Sequence, residues 1–372
     1  MSSISRFSFP TDILYGNGAV AEIPACIKEL QVKKPLVITD PSLVRTEAFK
    51  KLKTVLEDAA VEHVVFSEVH ANPLDTDVQA SLEAYTRGSC DSIIGIGGGS
   101  PLDTAKALAV LAGNGGSLDE YDAQKGGGVR ITSPLPPIIG VPTTAGTGSE
   151  VGKCAVITSS TAHRKFMVCH PDMVPSRAIL DPELTVSLPA HLTAATGMDA
   201  LTHNIESLTA PVFHPLCDAI AVKGIEYAIG YLERAVQHPE DLEARGYMLL
   251  AATMGAIAFQ KDLGASHSLS HSLSAVRGLQ HGLANAVCLP VVMKFNLDVA
   301  KKEYALLPPY FGIDTFDMSA EQAAAIAIDQ IKQLNSRIGI PASLKEVGVK
   351  ADQFDEITEK AFLDPCHSTN VK

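Results

Sequence analysis

The sequence predicts an α/β protein in two domains, a mainly parallel sheet layer over residues 1–182 followed by an all-helical domain over residues 183–372. Three observations carry this. Short β-rich runs alternate with helical stretches through the first half, the order that lays crossover helices on the faces of a parallel sheet. From about Pro182 the β-rich runs stop, and Ala- and Leu-rich helical periodicity takes over. The 372 residues fit two domains at roughly 100 to 200 residues each.

Strands are predicted at 35–39, 63–68, 92–96, 137–141, 155–159 and 166–169, with helices over 76–85 and 102–111 between the early ones. In the second half Ile220, Ile225, Ile229, Leu232 and Val236 recur at mainly three- and four-residue intervals, which places one core stripe on a helix. Residues 248–259 are apolar nearly all round and read as a buried helix too short to cross a bilayer. There is no internal repeat.

Composition narrows the classes of function. Hydrophobic residues at 46% and charged residues at 19% supply a substantial core. Forty-two acidic against thirty basic residues leave a net charge of -12, with no Lys/Arg run to track a phosphate backbone. Aromatics are 5% and Trp is absent, so stacking platforms for single strands are lacking too. Nucleic acid is therefore not an expected partner. Residues 1–10 hold no signal-peptide core, and no later segment is read as approaching roughly 18 apolar residues. A cytoplasmic protein with no membrane segment is expected. The seven cysteines are scattered without a CxxC pair, so neither a disulfide framework nor a thiolate zinc site is expected.

Two glycine-bearing turns suggest a ligand. The strand at 93–96 runs into Gly97, Gly98, Gly99 and Ser100, then Pro101 and an Ala-rich helix. Ser100 is read as the N-cap, Pro101 as the first helical position, and Asp103 as completing a capping-box-like arrangement. Glycines before a helix let a backbone approach closely and aim free N–H groups at a pyrophosphate. The spacing is not GxGxxG, and a tight turn with no ligand uses the same residues. After the next strand, Pro142-Thr143-Thr144-Ala145-Gly146-Thr147 adds hydroxyls for phosphate or ribose. Asp40 closes the first long strand, where carboxyl ends line the crevice of a Rossmann-like sheet. A carboxylate there accepts ribose hydroxyls and repels an added phosphate, which predicts NAD over NADP; a solvated turn aspartate is the alternative.

The helical half carries a second constellation. Asp199 and His203 are four apart in a helical segment and so share a face, and His267 and His271 repeat the spacing. His281 follows beside Gly282 at the start of another helix. A mixed imidazole and carboxylate shell suits Fe2+ or Zn2+, whereas calcium or magnesium wants oxygens throughout. Without thiolates at this spacing, an open catalytic site fits better than a closed structural one. Taken singly, each His also reads as a structural residue on an apolar helix.

With these words in view the chain resembles the iron-dependent, metal-activated alcohol dehydrogenase family, related in fold to dehydroquinate synthase and glycerol dehydrogenase. The resemblance spans nearly the whole chain and rests on Gly97 to Lys106, Pro142 to Thr147, Ala195 to His203 and His281 to Ala286. It implies a metal held by Asp199, His203, His267 and His281, with His271 left as a nearby proton relay. It implies NAD contacts from Asp40, Asn72, Gly98, Gly99, Ser100, Thr143, Thr144, Thr147 and Lys165. The metal would then polarise an alcohol oxygen while hydride passes to nicotinamide.

A small-molecule alcohol or aldehyde is the expected substrate, and a homodimer the expected assembly. The segment 259–264 looks closer to members acting on hydroxy acids, such as 4-hydroxybutyrate, and Lys261 could pair a substrate carboxylate; a solvated helix-end lysine is the plainer reading. A zinc-using glycerol dehydrogenase, a lyase of the dehydroquinate synthase type, and a non-catalytic nucleotide-binding protein that stores metal are the competing readings. The family usually continues past Asn370 with Pro-Arg and a further helix, so a shortened C-terminus is expected, and the resemblance implies a place for Cys366 at the border of the substrate pocket, its setting in this chain being open.

Overall fold

The computed structural model of the chain describes residues 9, 11–162 and 164–372. The reading of residues 1–8 and 10 as lacking a signal core lies outside the described residues. The strands are β1 (Asp12–Tyr15), β2 (Pro35–Ile38), β3 (Val64–Phe66), β4 (Ser92–Gly97), β5 (Ile138–Pro142), β6 (Cys154–Thr158), β7 (Lys165–Cys169) and β8 (Arg177–Leu180). The α-helices are α1 (Ile23–Glu29), α2 (Glu47–Asp58), α3 (Asp75–Arg87), α4 (Gly99–Asn114), α5 (Ala190–Thr209), α6 (Pro215–Gln237), α7 (Leu242–Ala258), α8 (Ala265–Arg277), α9 (His281–Tyr304), α10 (Ala320–Arg337) and α11 (Phe354–Leu363). The chain divides into two compact units, one of residues 9–144 and 148–187, the other of residues 145–147 and 188–372.

The first unit is built on a six-stranded parallel sheet in the order β1-β8-β5-β4-β2-β3. Strands β2, β4 and β5 are buried throughout, as continuous apolar runs should be when helices cover both faces. Alternate side chains feed two cores: Leu36, Ile38, Ile93 and Ile138 pack with Leu108 of α4, while Val37, Ile94 and Ile139 pack with Phe49 and Leu52 of α2. The register sets Ile38 beside Gly95 and Gly97 beside Pro142, so the carboxyl ends of β2, β4 and β5 lie along one edge.

Two features depart from the expected pattern. Strands β6 and β7 form a separate antiparallel hairpin rather than joining the parallel sheet. The connection over 159–164 is too short for a parallel crossover, which takes a dozen or more residues. Their register sets Cys154 opposite Cys169, and a disulfide joins the two, contrary to the expectation drawn from their spacing. Cysteines fifteen residues apart carry no local sign of pairing until the hairpin makes them neighbours.

The second unit is helical. Ile225, Ile229 and Leu232 of α6 are buried against Met198 and Leu201 of α5 and Met248 of α7, with Ile220 and Val236 packed at the margin. Residues 248–258 fall inside α7, the buried helix the sequence predicts. Helix α9 corrects another expectation, because it is long and apolar enough by length and composition to span a bilayer. Most of that stretch is buried within the protein, with Ala286, Leu289 and Met293 in the main helical core.

Candidate metal centre and nucleotide-binding loops

Helix α5 buries Asp199 and His203 on one face, α8 supplies His267, and α9 begins at His281. Their ligand atoms all lie within 4.8 Å of one another. Asp199 Oδ1 is 3.4 Å from His281 Nε2, 3.8 Å from His267 Nε2 and 3.9 Å from His203 Nε2. These separations are long for hydrogen bonds. They approach the edge of about 3.4 Å expected between donors that each stand about 2.1 Å from one tetrahedral cation. The Nδ2 amide of Asn285 sits among the same atoms, 2.7 Å from Asp199 Oδ1, 3.1 Å from His267 Nε2 and 3.3 Å from His281 Nε2. An electropositive N–H group at the convergence point shows what this donor set attracts, and the residues fit a divalent cation.

Close helix packing brings the donors together. A Cβ on Gly282 would meet the Ala195 carbonyl oxygen at 2.3 Å and Asp199 Cβ at 3.2 Å. Only glycine lets the first turn of α9, with His281, approach α5 this closely. The rings are then fixed from behind. Glu206 Oε2 accepts from His267 Nδ1 at 2.6 Å, and the same carboxylate accepts from the backbone N–H groups of Gly264 at 3.0 Å and Ser266 at 2.6 Å. Ser270 Oγ donates to the His281 carbonyl at 2.8 Å and lies 2.9 Å from His281 Nδ1. Each contact suits a proton on Nδ1, the tautomer whose Nε2 can ligate a cation at the convergence point.

Burial opposes charge on Asp199, but His203, His281, His267 and the Asn285 amide prevail and hold its carboxyl below the usual range. Burial pulls His203 from 6.5 to about 4 against the attraction of Asp199, so the imidazole is neutral and able to ligate. His267 is shifted the other way, burial being outweighed by its bond to Glu206, and Glu206 is lowered in return despite its own burial.

His271, one turn along α8 from His267, turns instead to Asp364, whose Oδ2 lies 2.8 Å from His271 Nδ1. Cys366 follows, with its backbone N–H donating to Asp364 Oδ1 at 2.9 Å. Lys261 is buried, and its Nζ bonds Asp218 Oδ1 and the Leu208 carbonyl. A lysine already neutralised by Asp218 is not a free anion anchor, which removes the substrate-carboxylate role considered for it.

The nucleotide candidates gather mostly at the carboxyl edge of the sheet. Gly97 takes φ +146, and a Cβ there would meet Pro101 Cγ at 2.7 Å, so glycine is required at this turn. Helix α4 starts at Gly99 with Gly98 as N-cap. Ser100 is therefore inside the first turn rather than at the cap, and Pro101 is the third helical residue. The Ser100 hydroxyl instead donates to the Ala71 carbonyl at 2.7 Å, which brings the loop holding Asn72 beside the helix start. Asp103 does not cap either; its carboxylate accepts from Ser149 Oγ at 2.6 Å and Val156 N at 2.9 Å and pairs with Lys106 at 3.0 Å.

Thr143 N donates to the Gly97 carbonyl at 2.9 Å, and Thr144 borders Gly98, so the two turns adjoin. Lys165 lies opposite Thr158, whose N–H donates to the Pro73 carbonyl at 2.8 Å, placing the hairpin next to Asn72. Burial pulls the Lys165 ammonium down against the Asp103 charge. Asp40 Oδ1 accepts from the N–H groups of Ser42 at 2.9 Å and Leu43 at 3.0 Å, the local turn role weighed for it. Thr147 falls in the helical unit, where neighbouring Gly146 packs on Thr196.

Glu206, Ser270, Asn285 and Asp364 were not found by sequence reasoning. For Glu206 a signal existed, since it continues the buried face of Asp199 and His203 at intervals of four and three. Asp364 is 93 residues from its partner and left no local trace.

Residues 10–182 match the iron-containing alcohol dehydrogenase family and residues 193–372 match its C-terminal region. The chain is 39% identical over 364 residues to a 4-hydroxybutyrate dehydrogenase of Cupriavidus necator, covering 95% of this chain and 92% of that protein. It is 37% identical over 370 residues to an NAD-dependent methanol dehydrogenase of Bacillus methanolicus, covering 99% and 96%. A crystal structure of a 1,3-propanediol oxidoreductase superposes with a TM-score of 0.94 at 36% identity, covering 99% and 96%.

Proposed function

Because the chain belongs to the iron-containing alcohol dehydrogenase family, we propose that it interconverts a primary alcohol and its aldehyde with NAD, using a divalent metal held by Asp199, His203, His267 and His281. The convergence of these four ligand atoms within 4.8 Å carries the reading. When bound, a divalent ion would supply Lewis acidity toward an alcohol or carbonyl oxygen, and NAD would supply the hydride acceptor.

The residues do the rest. One carboxylate and three neutral imidazoles offset only one of the two charges of the cation, preserving its pull on oxygen. Fe2+ is the proposed ion, and Zn2+ accepts the same donors. Glu206 and Ser270 orient His267 and His281. Asp364 keeps the His271 proton on Nδ1, so Nε2 serves as the base that receives the hydroxyl proton. Gly98, Gly99 and Ser100 offer helix N-terminal N–H groups to a pyrophosphate, and Thr143, Thr144, Thr147, Asn72 and Lys165 supply further polar contacts. The second carboxylate oxygen of Asp40 accepts ribose hydroxyls and disfavours NADP.

A hydroxy acid such as 4-hydroxybutyrate is the second reading, supported by the Cupriavidus necator relative and weakened by the engagement of Lys261 with Asp218. The enzyme is taken to be a homodimer, the commonest symmetric assembly, which light scattering checks. The deciding experiment is an anaerobic panel of alcohols, diols, hydroxy acids and aldehydes on iron-loaded protein, followed at the reduced nicotinamide absorbance with NAD and NADP in parallel. Turnover of a primary alcohol with NAD preferred is expected. Absence of nicotinamide reduction across the panel would overturn the reading, and equal efficiency with NADP would remove the role of Asp40.

A further inference from the structure

We propose that His271, Asp364 and Cys366 form a second divalent-cation site, suited to a thiophilic ion such as zinc or cobalt and separate from the four-donor centre. One ligand atom from each lies within 4.8 Å of the other two. The three come from two separate elements of the helical unit. His271 projects from α8, while Asp364 caps a short helical turn, Pro365–Thr369, that follows α11 and carries Cys366 in its first turn. The His271 and Asp364 side chains are 28% and 15% exposed, so an ion can reach them while much of its shell is protein. None of the three belongs to the Asp199 set, although the His271 ring stacks on that of His281 with centroids 5.2 Å apart.

The donor chemistry selects the ion. A thiolate with an imidazole and a carboxylate is a set that zinc and cobalt accept and that magnesium and calcium decline. The other free cysteines, Cys26, Cys90, Cys217 and Cys288, are all buried, and none belongs to a grouping of this kind among the described residues. Burial pushes the Cys366 thiol well up, and the carboxylates of Asp364, Glu206 and Asp262 push it further. Asp262 reaches this position with φ at +75, a backbone setting that costs a non-glycine residue energy.

Coordination has a defined consequence, which rests on the base role given to His271 above. The Cys366 proton leaves to solvent, the His271 proton moves from Nδ1 to Nε2, and Nδ1 binds the ion in place of its bond to Asp364. The base is then blocked, so excess zinc inhibits.

The test is an anaerobic Co2+ titration of the full chain, read by stoichiometry and by cobalt-thiolate charge-transfer absorption, which the four-donor centre cannot produce. Wild type is expected to bind two equivalents and to develop the thiolate band. Cys366→Ser should bind one equivalent without the band, and Asp364→Asn should weaken the band-forming site by about 10- to 100-fold. His203→Ala should lose the other equivalent and keep the band, which separates this site from the four-donor centre. No thiolate band in wild type, or a band that persists in Cys366→Ser, overturns the proposal. One band-free equivalent in wild type overturns it while leaving the four-donor centre standing.

Discussion

Replacing Glu206 by Gln probes how much of the metal centre is set from behind the ligands. Glu206 is 4% exposed and accepts three hydrogen bonds, from His267 Nδ1, Gly264 N and Ser266 N. A glutamine offers one acceptor oxygen and one donor group. If its oxygen takes the Oε2 place, the amide N–H faces Ser266 N; in the reverse orientation it faces His267 and Gly264. At least one buried donor is left unpaired, at a cost of about 1–3 kcal/mol to stability. His267 also loses the carboxylate that strengthens its Nε2, and loss of such a partner lowers metal affinity by about 10- to 100-fold. Chelator competition under anaerobic conditions gives the iron Kd, and thermal unfolding of metal-free protein gives the stability. An iron affinity equal to wild type in the Gln variant would mean that Glu206 is an ordinary buried carboxylate and that His267 needs no orientation.

Three further outcomes follow from the same geometry. Gly282→Ala places a Cβ 2.3 Å from the Ala195 carbonyl oxygen, so α9 must shift from α5; a loss of about 1–3 kcal/mol is expected, with weaker iron binding by the same competition assay. His271→Ala should keep a full equivalent of iron while turnover falls by about 100- to 10,000-fold; loss of iron would make His271 a ligand. His203 is pulled from 6.5 to about 4, chiefly by burial. Between those values the unfolded chain binds a proton at this position that the folded chain refuses, so metal-free stability rises with pH across that window. Urea unfolding at both ends of the window should show a smaller pH slope in His203→Phe, and an unchanged slope would refute the assignment.

Much of the architecture is legible in the residues because burial on both faces leaves continuous apolar runs, as at Ile93–Ile96 and Ile138–Val141. Strand β8 is also fully apolar after Arg177 but only four residues long, and β1 is largely exposed, so neither separates from a loop by pattern. The antiparallel turn of β6 and β7 was available from the short 159–164 connection, which outranks the alternation of elements around it. In the helical unit, four-residue spacing revealed Asp199 with His203, because a helix face is a local property. The division between His267 as part of the cluster and His271 outside it depends on which carboxylate each ring meets. Glu206 and Asp364 are set by chain folding over 61 and 93 residues. The direction of Lys261 toward Asp218 is equally a tertiary fact.

In the proposed centre one cation is held by an acidic residue of α5 and three imidazoles from three helices. Crystals grown anaerobically with Fe2+, measured above and below the iron absorption edge, test it most directly. An anomalous peak is expected about 2.0–2.2 Å from Asp199, His203, His267 and His281. An iron peak elsewhere in the molecule, or none in iron-loaded protein that turns over alcohol, would contradict it.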